Sequence, residues 1–80
     1  MKSLQSHAKR FNLLKVGTRD WNTERVLLEG LEKKGMLPEP INVKKYAFLN
    51  QFGYTETFIH RTYKVGRYEF KLIEYYTDYA

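Results

Sequence analysis

Apolar residues recur at two different periods along this chain, and the change of period divides it. Leu4, Ala8, Phe11 and Leu14, with Leu13 beside them, fall at helical spacing and mark one face of a first helix. Ser3 is placed to cap it and Gly17 to end it, which puts Lys9, Arg10 and Lys15 on the opposite, wet face. Arg10–Val16 also reads as a short first strand, but the helix is the favoured reading. A second helix follows. Asp20 or Asn22 is placed to accept its first amide protons, and Glu24 suits the positive end of its dipole. Leu27, Leu28 and Leu31 define its buried face, and Lys33 and Lys34 suit its negative end. Gly35 supplies a left-handed exit, and Pro38 and Pro40 keep the helix from resuming.

From Ile41 onward the period shortens to two. Ile41 and Val43 begin a strand that runs through Tyr46 and Phe48, and Gly53 breaks it. Tyr54–Lys64 and Arg67–Tyr76 then form a hairpin about Val65-Gly66. Two registers compete for it. A two-residue Val65-Gly66 loop sets Tyr63 opposite Tyr68. A three-residue Lys64-Val65-Gly66 loop, with Gly66 left-handed, sets Arg61 opposite Glu69, and is favoured because valine resists a positive φ. The fold class that follows is α+β. One or two N-terminal helices pack on a three-stranded antiparallel sheet that ends in a C-terminal hairpin, and residues 1–80 form a single domain. The expected core holds Leu14, Trp21, Leu27, Leu28, Leu31, Phe48, Tyr68, Phe70 and Leu72.

Composition narrows the chemistry. Eighty residues supply one core. With no cysteine there is neither a disulfide nor a thiolate metal site. His7 and His60 lie 53 residues apart with no clustered acids, and read as surface residues rather than ligands; no metal or cofactor is expected. Ser6 adjoins His7 and Thr62 follows His60, but neighbours in sequence are not a nucleophilic geometry. Glu29 and Glu32 are spaced like any pair on a solvated helix, and no glycine-rich phosphate loop is present. The expectation is a binding module, not an enzyme. The longest aliphatic run, Val26-Leu27-Leu28, is far short of a membrane span, and no signal-peptide pattern opens the chain. No membrane insertion and a cytoplasmic location, in the producing or a host cell, are expected.

Charge changes the picture more. The net charge is +5, and residues 1–19 alone carry five cations and no acid. An acidic block over residues 20–40 separates them from a second basic block over residues 41–71. That block interleaves bases with rings (Lys44, Lys45, Tyr46, Phe48; then Phe58, Arg61, Tyr63, Lys64, Arg67, Tyr68). Single-stranded nucleic acid is held by such sets, with cations on phosphates and bases on exposed rings. The same rings also serve sheet packing.

The leading expectation is therefore nucleic-acid binding, and the alternative is an inhibitor or adaptor that meets another, acidic protein surface through tyrosines. The candidate residues are Lys9, Arg10, Lys44, Lys45, Arg61, Lys64, Arg67, Tyr75, Tyr76 and Tyr79. The discriminating feature is where the cations converge. If Lys9, Arg10, Lys44, Lys45, Arg61 and Arg67 share one face, nucleic acid gains. If that face is broken and tyrosines cluster in an exposed patch, a protein partner gains.

Two resemblances add to this. Asn22–Leu37 resembles the recognition helix and exit of winged-helix regulators, which are followed by a β-hairpin wing. The chain departs from them in having one helix before it instead of two, a proline-bearing stretch before the hairpin, and three glutamates on the helix. In size and composition, a small tyrosine-rich chain without cysteine resembles many phage-encoded inhibitors of host enzymes.

Overall fold

Ser3 sits in extended backbone and its hydroxyl accepts the Ser6 amide, which opens helix α1, Leu4–Leu13. The helix buries Ala8 and Phe11. It runs through Arg10, so the rival strand over Arg10–Val16 is not formed. Gly17, at φ 91°, turns the chain into α2, Arg19–Lys33. The cap of α2 is Thr18, whose hydroxyl accepts the Trp21 amide, rather than Asp20 or Asn22. Asp20 falls inside the first turn, where its charge meets the helix dipole without capping. Gly35 takes the left-handed exit at φ 71°. The computed structural model describes residues 3–79; Lys2, counted in the basic front, lies outside them.

The strands are β1 Asn42–Leu49, β2 Thr55–Val65 and β3 Tyr68–Asp78, in the order β1-β2-β3, both pairs antiparallel. Asn50 organises the first turn: its side-chain oxygen accepts the amides of Phe52 and Tyr54, and Gly53 takes φ 82°. The second turn corrects both expected registers. Its two residues are Gly66 and Arg67, and Val65 faces Tyr68, Tyr63 faces Phe70 and Arg61 faces Leu72. Gly66 is left-handed at φ 62° while Arg67 is not, the sign pattern of a type II′ turn. That turn needs a positive φ only at its first position, so valine is spared by moving the loop one residue on.

Both helices lie on the face that carries Tyr63, Phe70 and Leu72, and cover only the half of the sheet nearest the second turn. Phe11 stacks on Trp21 at 5.3 Å and meets Phe70 edge-on at 6.2 Å. Leu28 is 0% exposed. Leu4, Trp21, Leu31, Leu37, Val65 and Tyr68 pack around this core. Three expected core residues do not belong to it: Leu27 is 40% exposed, Phe48 is 51% exposed, and Leu14 is only half-buried. Leu27 lies one helical step from Leu28 and so turns off the buried stripe. Phe48 lies on the sheet face turned away from the helices. Ala8, Phe11 and Tyr63 take their places.

The result is elongated, 45 × 27 × 20 Å, with a radius of gyration of 14.3 Å against about 12 Å for a compact chain of this length. Among the described residues no helix is long and apolar enough to cross a membrane.

Candidate functional site

Two groups of side chains have enough geometry to carry a function. The first is buried between the helices. Glu24, 7% exposed, accepts from His7 Nδ1 at 2.8 Å and from Arg10 Nε at 3.0 Å. A carboxylate only accepts, so His7 carries its hydrogen on Nδ1. His7 is thus not the surface residue expected: it is half-buried and pins α1 to α2. A histidine oriented by a carboxylate also occurs in nucleophilic catalysis. Here the nearby hydroxyls of Ser3 and Ser6 bond to each other, at 3.1 Å, rather than to His7. The cluster serves as a clamp.

The second group is the sheet face turned away from the helices, and strand register builds it. On that face Tyr46 stands opposite Phe58, and Phe58 opposite Tyr75, so three rings form a row across all three strands. The next row on one side is Lys44, His60 and Ile73, and on the other Phe48, Glu56 and Thr77. The rings touch: Phe48 stacks on Phe58 at 5.9 Å, Phe58 meets Tyr75 at 4.8 Å, and Tyr46 meets the His60 ring edge-on at 5.0 Å. Tyr46 and Tyr75 are 48% and 50% exposed. The Tyr75 hydroxyl donates to Glu56 at 2.6 Å and lies 2.9 Å from the Thr77 hydroxyl. The bond to Glu56 favours the neutral phenol and raises the Tyr75 pKa.

The expected site residues do not gather. Lys9 and Arg10 lie on α1, and Arg10 is drawn to Glu24. Lys44 and Lys45 occupy opposite faces of β1. Arg61 lies on the helix-side face and bonds to Glu74 at 2.7 Å, which raises its pKa. Lys64 is exposed on the outer face, and Arg67 sits in the turn. Only Tyr75 of the three C-terminal tyrosines joins the ring row. Tyr76 points to the other face, opposite Thr57, and Tyr79 packs edge-on against Tyr54 at 4.9 Å. Tyr46, Phe48 and Phe58 were missing from the candidate set. The signal for them was parity: in β1 and β2 apolar residues occupy odd and even positions alike, so no single buried face can absorb them.

Among the described residues no group of three or more His, Asp or Glu side chains is placed to hold a metal ion. Comparison with protein-family models, curated proteins and solved structures finds no match.

Proposed function

We propose that this chain is a non-enzymatic protein-binding module that docks a partner protein through the outer face of its sheet. One observation carries the reading: the row Tyr46–Phe58–Tyr75, uncovered, with Phe48 against it. Rigid rings at the centre of a patch, with polar groups around them, have the make-up of an interaction hot spot. Lys44, Lys64 and Lys71 share the rim of this face with Glu56 and Glu69, so its charge is mixed.

Nucleic acid is supported less well. The six cations that needed to share a face are split between α1, both faces of β1, β2 and the turn, and two of them are engaged by carboxylates. The rings stack on one another instead of standing apart to admit bases, and Glu56, on the rim beside them, accepts from the Tyr75 hydroxyl and repels phosphate.

The test uses tagged protein in nuclease-treated and untreated lysate, beside a direct titration of a poly-dT oligonucleotide at low salt. The expected result is a nuclease-resistant protein captured by the wild type and lost with Tyr46→Ala or Tyr75→Ala, while melting curves stay close to wild type. Nuclease-sensitive capture, or oligonucleotide binding that falls steeply with salt, overturns the reading.

A further inference from the structure

We infer that two copies of this chain pair along β1, antiparallel and centred on Tyr46, to make a six-stranded sheet. All eight residues of β1 are exposed, and the backbone shows which of its groups are unmet. Asn50 N–H donates to the Tyr54 carbonyl at 2.8 Å, and hydrogen-bonded pairs alternate along an antiparallel ladder. Asn42, Lys44, Tyr46 and Phe48 therefore bond to β2, while Val43, Lys45, Ala47 and Leu49 turn their N–H and C=O groups to the open edge. The second turn agrees with this phase, since it closes on Val65 and Tyr68 and so directs the odd residues of β2 toward β3. At the other edge of the sheet the Glu69 carbonyl accepts from Asn12 Nδ2 at 2.6 Å. Among the described residues no such group covers β1.

An open strand of this length with apolar residues on both faces invites another strand. The accessible surface, 6090 Å², exceeds the roughly 5,100 Å² expected for a monomer of this mass. The excess is close to the ~800 Å² that one partner gives to a standard interface.

Charge selects the second copy's register. A two-fold axis normal to the sheet keeps the same face outward in both copies, so odd residues meet odd ones. Centred on Lys45, the pairing sets that lysine against itself. Centred on Ala47, it shortens the ladder. Centred on Tyr46, it sets Val43 opposite Leu49, Lys45 opposite Ala47 and Lys44 opposite Phe48, with no like charges facing. Tyr46 then meets its own copy, and the ring rows of the two chains join into one row of six across the sheet. The use of that row as a single docking surface rests on the function proposed above; the pairing itself does not, and its test reads mass rather than partner capture.

Sedimentation equilibrium on the purified chain is expected to give a dimer, twice the 9.6 kDa of the chain, that dissociates on dilution. Ala47→Lys sets a second ammonium opposite Lys45 in both halves of the pair, and weakens the dimer at least about tenfold. Lys45→Glu combined with Ala47→Lys turns both contacts into opposite-charge pairs and restores it. Circular dichroism checks that each variant is folded, as expected for exposed positions. A wild type that stays monomeric at high concentration overturns the inference. So does a dimer indifferent to Ala47→Lys, or one the double variant fails to restore.

Discussion

Tyr63 shows how one side chain joins the layers. Its ring stacks on Phe70 at 5.6 Å and is 3% exposed, while its hydroxyl donates to Glu32 on α2. Burial disfavours the phenolate, and the Glu32 carboxylate disfavours it further, so the pKa is pushed up from 10.0 to about 12. The folded chain therefore holds this proton more tightly than the unfolded chain does. The associated stability is complete below pH 10 and is lost as pH rises toward 12, on the order of 2 kcal/mol in all. Tyr63→Phe removes both the bond and its titration. In urea melts the wild type is expected to exceed the variant by about 1 kcal/mol at pH 8, with the gap closing above pH 10 and changing sign before pH 12. A gap that stays constant to pH 11.5 refutes the assignment. Glu24 plays the same joining role between α1 and α2, and it shows why its function escaped a reading by pattern. A glutamate early in a helix suits the dipole, and only the helix packing reveals that His7 and Arg10 converge on it.

At the scale of elements, the helices were legible because each carries one apolar stripe and a clear stop. Gly17 and Gly35 have the positive φ that their positions demand. The α2 cap was misplaced because three capping types, Thr18, Asp20 and Asn22, stand close together, and local sequence does not rank them. The hairpin was legible in outline and wrong in phase. Both candidate loops ended on Gly66 and treated it as the last loop residue; the chain uses it as the first. The favoured register set Arg61 opposite Glu69 and the chain sets it opposite Leu72, an odd offset of three residues that changes which residues of β2 share a face with Phe70 and Leu72, and so Tyr63 was left out of the core list. Gly66 can be tested directly. Its left-handed backbone penalises a β-branched residue, while a Cβ there meets only the end of the Gln5 side chain, 2.8 Å away, which swings aside at little cost. Gly66→Val is expected to cost about 1–2 kcal/mol in thermal melts, and Gly66→Asn clearly less. Equal losses, relieved by Gln5→Ala, locate the cost in that contact instead.

Over the whole molecule, the buried core lies toward one end of the sheet and the open β1 edge lies away from it. Among the described residues six hydrophobic side chains form the buried core, and the sheet residues among them, Tyr63, Phe70 and Leu72, come from the half under the helices. The other half, with all of β1, holds its place through ladder bonds to β2 and the rings of the outer face. A sheet so lopsided should not open as one unit. Hydrogen exchange on a dilute, monomeric sample is expected to be slowest at the amides of Tyr63, Phe70, Leu72 and Leu28. In β1 the even-numbered amides bonded to β2 are expected to exchange roughly a hundredfold faster than these, a difference of about 2–3 kcal/mol in opening energy. The amides of Val43, Lys45, Ala47 and Leu49, which face the open edge, should be almost unprotected. Raising the concentration should slow those four first, because pairing along β1 gives them acceptors. Uniform protection across all three strands in the dilute sample would mean that the ladder and the outer rings stabilise β1 as strongly as the helices stabilise the hairpin, and that the sheet is not divided into a strong and a weak half.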